Sequence, residues 1–130
     1  MEITSNLVLL AREPMQPRFS DDRVGYFEIG HLYFNDEQQK AEERAFINRW
    51  RLEPKPEDVE RYKKGELVEP QKPIELWIDP ATPPVWVPYI KKGIVEWQEA
   101  FEAAGFKNAI VAREVTPDDR EFDIDDVRYS

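Results

Sequence analysis

The chain has 130 residues, 41% of them hydrophobic, with four Trp, five Tyr and seven Phe, enough apolar side chain to build a folded core. Its 18 basic and 27 acidic residues leave a net charge of −9, which argues against nucleic acid or an anionic membrane surface as partner. No cysteine is present, so disulfides and thiolate metal sites are excluded. No apolar run approaches the roughly 20 residues of a membrane span, and no basic stretch followed by an apolar one opens the chain as a signal peptide would.

Asn6–Leu10 (NLVLL) is a short apolar run that reads as a strand, ended by Pro14 and Pro17. Val24–Phe34 is rich in aromatic and branched residues and reads as a second strand, with Gly25 and Gly30 as bend or bulge positions. On that strand Phe27, Ile29, His31 and Tyr33 share one face, with Tyr26, Glu28 and Leu32 on the other. Asn35–Arg44 is polar, a loop or short exposed helix. Ala45–Leu52 fits both periods, and the strand is preferred because Pro54 and Pro56 stop it so soon. Glu53–Pro73 carries four Pro and many charges, and reads as a surface connection. Its length places a division near its end, between residues 1–72, a β-rich flanking region, and residues 73–130.

The second part reads as strand, turn, helix, strand. Ile74, Leu76 and Ile78 alternate with Glu75 and Trp77, a half-buried strand. Asp79-Pro80 opens a turn in which Thr82 is a candidate N-cap. The helix spans about 85–104, with Ile90, Ile94, Trp97, Phe101 and Ala104 as its apolar face and Gly105 as its left-handed stop. Asn108–Val115 is the returning strand, parallel to the first through a right-handed crossover. The expected fold class is therefore α+β: a small mixed sheet with one long amphipathic helix in a βαβ unit, preceded by antiparallel strands. Glu114–Asp126 holds seven acids against Arg120, a local net of −6, and reads as a solvated acidic segment.

The side chains that could carry chemistry are few. His31 is the only histidine, and one His without Cys cannot supply the three ligands of a catalytic zinc, so it is read as structural or surface. No Ser or Thr has a base beside it in sequence. Asp123, Asp125 and Asp126 lack the spacing of a calcium loop. Asp79 lies at the carboxyl end of a parallel strand, where α/β sites gather, but its neighbour Pro80 makes turn capping the simpler role. Lys91 and Lys92 near the helix start, with Glu99 and Glu102 near its end, oppose the macrodipole, so they are either inconsequential or paired elsewhere. Gly93 and Ala100 form a small-residue stripe suited to close packing in the core. The expected catalytic, cofactor-binding and metal residues are accordingly none.

The stretch PIELWIDPATPPVWVPYIKKGIVEWQEAFEAAGFKNAI resembles the start of the protease domain in a family of large bacterial zinc-dependent metalloproteases of metzincin type. SNLVLL, PMQPRFSDDRVGYF and INRWRLEP resemble the domain of unknown function that precedes it. The resemblance implies a zinc site built by H-E-x-x-H-x-x-G-x-x-H, with a general-base Glu and zinc-activated water, and that motif is absent here. No catalytic or metal residue carries over. What transfers is scaffold: Trp97 and Phe101 as the helix face under the sheet, and Gly105 as its terminator. The resulting expectation is a non-catalytic amino-terminal fragment, with zinc belonging to the parent protease. Its partner would be the remainder of the protease domain, its open sheet edge would invite self-association, and the parent would be exported. The alternative is a stand-alone protein-interaction module.

Overall fold

The computed structural model describes residues 3–120, 122–123 and 125–129. Glu121 of the acidic tail lies outside them. By its contacts the chain divides into two compact units, one formed by Leu9–Arg51 and the other by Met1–Val8 with Leu52–Ser130. The division expected from sequence lies at 72/73 instead. The residues after Leu52 belong with the second unit because they are tied to Pro70 and Gln71. An antiparallel bridge joins Pro54 to Pro70, and the Gln71 amide donates to the Glu53 carbonyl at 2.8 Å.

The first unit is a hairpin of β1 (Glu28–Tyr33) and β2 (Glu42–Ile47), antiparallel with Ile29 opposite Phe46 and His31 opposite Arg44. The expected face holds for Ile29, His31 and Tyr33, while Phe27 lies just before β1. The His31 and Phe46 rings lie 4.5 Å apart, and the Arg44 guanidinium sits 3.6 Å from the centre of the Tyr33 ring. The second strand starts three residues earlier than expected and stops at Ile47, leaving Trp50 and Leu52 outside it. The Ile47 amide donates to Arg18 and the Ser20 amide to Ala45, so residues 18–20 run along the outer edge of β2. Asn6–Leu10 forms no strand: it is exposed, Leu7 fully so, and no described strand lies beside it. An apolar run has the propensity for a strand but needs a neighbour to donate to.

The second unit is built on α1 (Val59–Lys63), β3 (Ile74–Ile78), α2 (Val87–Glu96), α3 (Gln98–Ala103) and β4 (Ile110–Glu114). Strands β3 and β4 pair in parallel, Ile74 opposite Ile110 through Ile78 opposite Glu114, as the crossover predicts. The protein is thus α+β, with the antiparallel and parallel pairs as separate two-stranded sheets. The expected single helix is two segments that meet at Trp97. There the Trp97 amide reaches Ile94 and the Ala100 amide reaches Trp97, three residues back in each case, which tightens one turn. Thr82 does not cap it. The residue before α2 is Trp86, with no side-chain cap, and the Thr82 amide instead closes the Asp79 turn at 2.9 Å.

The segment that reads from sequence as a surface connection contributes Val68 and Tyr62 to the core. Val68 (1% exposed), Phe106 and Ala109 (0%) are buried together, with Leu52, Tyr62 and Phe101 against them. Val68 and Phe106 form a parallel bridge, Val68 donating to the Gly105 carbonyl at 3.1 Å and Lys107 donating to the Val68 carbonyl at 2.9 Å. The Glu53–Pro73 segment also contains α1, and its signals are in the sequence: Pro56 and acids at the start, Arg61 and Lys63 in the last turn, Gly65 after it at φ +83°. Gly105 terminates α3 as expected, at φ +93°, and for a second reason as well. A Cβ there would stand 2.7 Å from Tyr62 Cε2, and the Tyr62 ring stacks on Phe106 at 4.9 Å.

Two further side chains bind this unit together. The half-buried Gln98 amide accepts from the Ala109 and Ile110 N–H groups at 3.1 and 3.4 Å and donates to the Phe106 carbonyl at 3.4 Å. Glu69 accepts from Lys55 and from Asn108, each at 3.0 Å. Those bonds, Lys55 foremost, hold the Glu69 carboxyl below its ordinary range. On the sheet face away from Leu76, Trp77 packs on Phe122 and Tyr129 at 5.8 and 5.4 Å between ring centres. The acidic tail is therefore anchored. Asn6 Nδ2 donates to the Asp125 carbonyl at 2.8 Å, while the Asp123 and Asp125 side chains remain exposed.

Three outcomes are expected in denaturant unfolding. Gly105→Ala should cost more than about 1 kcal/mol, since it adds both a strained φ and a clash, and Tyr62→Leu in the same chain should recover part of that loss. Gln98→Leu should cost about 1–3 kcal/mol, because it strips the partner from the buried Ala109 amide. For Lys55→Met, the depressed Glu69 value sets the pH window. The pair's contribution is fully present above the unfolded value of 4.5 and is lost as pH falls through the lower folded value. The stability difference from the native chain should therefore be constant from pH 7 to about 5.5 and shrink once the pH falls below 4.5 and through the lower folded value.

Candidate functional site

The carboxyl ends of two parallel strands and the start of the helix between them make the position where α/β sheets place their ligands. Here they enclose an open cleft of about 520 Å³, lined by Ile78, Asp79, Thr82, Val87, Lys91 and Glu114 among others. The β3 chain enters the cleft at Asp79, whose Oδ1 accepts from the Ala81 N–H at 2.7 Å, so the carboxylate serves the turn as its sequence context suggests. Lys91, one turn into α2, pairs with Glu114 at the end of β4. This pairing explains a lysine placed against the helix macrodipole: its partner is on the neighbouring strand. No local pattern signals it, because the pair is separated by the whole crossover.

The chemistry this cleft supports is limited by the engagement of its charges. Asp79 is bonded to the backbone, and Lys91 and Glu114 are bonded to each other while both remain substantially exposed. An exposed pair of this kind is weakly stabilising and is screened by salt. No histidine or nucleophile with an adjacent base lines the cleft. His31 lies elsewhere, on β1, exposed and against Phe46. Asp123, Asp125 and Asp126 do not converge on a common point, and no group of three metal-ligating side chains occurs among the described residues. No helix among the described residues is long and apolar enough to cross a membrane.

The helix residues expected under the sheet are only partly there. Phe101 reaches the core cluster, but Trp97 is 65% exposed and Ile90 39%. The packed stripe is Val87, Lys91, Ile94, Gln98 and Phe101, which keeps the expected spacing of four and three but lies one position away along part of the helix. Lys91 and Gln98 take inward positions through their alkyl stems and polar ends, and the hydrophobic count alone could not select them. Trp86, Tyr89, Ile90 and Trp97 form a second apolar face that nothing described covers. Gly93 sits in that face, with open space where its Cβ would be, so its expected role in core packing is not realised.

A family model for a domain of unknown function (DUF5117) matches residues 1–55. The match takes in the β1–β2 hairpin and the stretches SNLVLL, PMQPRFSDDRVGYF and INRWRLEP. No curated protein and no solved structure matches the chain, and no comparison links it to a zinc protease.

Zinc added to the native chain and to His31→Ala should give the same calorimetric trace, with no stoichiometric binding in either. A generic peptide substrate incubated with the zinc-supplemented chain should show no turnover. Tight one-to-one zinc binding that His31→Ala abolishes would overturn the structural role of that residue.

Proposed function

We propose that this chain is a non-catalytic scaffold, the amino-terminal portion of an exported zinc-dependent metalloprotease, comprising a flanking domain and the first βαβ unit of the catalytic domain. The observation that carries the reading is the second apolar face of the crossover helix. Trp86, Tyr89, Ile90 and Trp97 are well exposed on a unit whose sheet has two strands among the described residues. A sheet of two strands is marginal alone, and a helix with two apolar faces belongs between two layers. The match of residues 1–55 to a domain of unknown function is consistent with the flanking part of the reading. The zinc and the water it activates would be held by residues outside this sequence, and the parent would hydrolyse peptide bonds there. The role of this chain is to supply the edge on which the catalytic sheet is assembled.

The same exposed helix face suits a protein bound in trans, as a stand-alone interaction module would require, and the two readings part on one observation. An in-frame HExxHxxGxxH downstream of Ser130 in the gene supports the protease reading, and a stop codon directly after Ser130 overturns it. In the chain as it stands, Gly93→Ala should raise stability by about 0.5–1 kcal/mol, since the helix gains propensity and the new methyl meets nothing. A clear loss in thermal unfolding would mean that the face is already closed.

A further inference from the structure

We infer that the outer edge of β1 accepts the segment Val8–Arg12 of a second copy as an added antiparallel strand, so that the chain pairs with itself by reciprocal strand donation. This pairing is independent of any protease parent and uses a different sheet from the parallel one. The direction of the peptide groups defines the accepting edge. Ala45 and Ile47 of β2 bond to residues 20 and 18, so the odd positions of β2 face away from β1, and the Asn48 amide bonds back to Phe27 at 2.7 Å. In the observed register Phe27, Ile29, His31 and Tyr33 therefore direct their N–H and C=O groups at β2. Glu28, Gly30 and Leu32 direct theirs outward, and no described strand pairs with that edge. Six backbone groups stand in a row, a template for one more strand.

Charge and shape select the occupant. Val8, Leu9 and Leu10 belong to no helix or strand and are at least 62% exposed, an apolar segment without the neighbour its composition calls for. Laid antiparallel with Leu10 opposite Gly30, it brings Arg12 opposite Glu28 and Val8 opposite Leu32 on one face. Neither Arg12 nor Glu28 has a partner among the described residues, and an opposite-charge pair directly across two strands is favourable. Leu10 would lie over the hollow beside Gly30, which is lined by Glu28, Leu32, Glu43 and Ala45, and a Cβ at Gly30 meets nothing within 4 Å. A register shifted by one residue would set Arg12 opposite Ile29 and lose both pairings. Exchange in both directions makes the pair symmetric, with each contact formed twice.

Sedimentation of the full chain at rising concentration should show a monomer–dimer equilibrium with Kd on the order of 10 μM, the scale of a small interface. Arg12→Glu and Glu28→Arg should each weaken it roughly tenfold or more, and the double reversal should restore it. A synthetic peptide of sequence NLVLLAR should compete and return the chain to monomer. A chain that stays monomeric to roughly 1 mM would overturn the inference. Association that ignores both charge reversals but is lost in Trp97→Ser would also overturn it, and would assign the contact to the exposed helix face instead.

Discussion

The second unit depends on one contact, the closure of Val68 against Phe106 and Ala109 beneath the Tyr62 ring. Val68 comes from a charged, proline-rich segment and Phe106 from the turn after the helix, and the parallel bridge between them draws these distant pieces together. Gly105 makes the closure possible twice over. Its left-handed conformation ends α3 and aims the chain at Val68, and its missing side chain leaves room for Tyr62. Everything downstream inherits its position from this seal, including the start of β4 and so the register of the parallel pair.

Polar side chains then do what apolar burial cannot, since a turn leaves backbone groups without partners. Gln98 meets three of them between Phe106 and Ile110, and Glu69 links Lys55 to Asn108 across the same region. The Lys91–Glu114 pair joins the crossover helix to the strand it precedes. On the other sheet face the tail is held by aromatic contacts to Trp77 and by Asn6, so a strongly acidic segment is kept against the protein while its Asp123 and Asp125 side chains stay in water.

The features legible in the sequence are those set by periodicity and local turn chemistry. The alternation of Ile74, Leu76 and Ile78, the helix ending at Gly105 and the face shared by Ile29, His31 and Tyr33 are short-range patterns, and they hold. The Asp79 turn was readable for the same reason. Less was legible at the candidate cleft, where Lys91 and Glu114 lie 23 residues apart and only the packing of α2 against β4 makes them neighbours. Trp97 is exposed despite its place in the apolar pattern, because hydrophobicity ranks residues by what they would bury, whereas the helix's rotation is set by what the sheet and core can receive.

By itself the sequence determined the α+β class, the strand–helix–strand order, the turns that punctuate it and the lack of a histidine and cysteine inventory for a metal site, since each is a local or compositional property. Only the tertiary structure decided that Val68 is core and Asn6–Leu10 is not a strand, which helix face is packed, and which carboxylates are paired. Those outcomes depend on partners far away in the chain, and a residue's burial is decided by the surface that arrives against it.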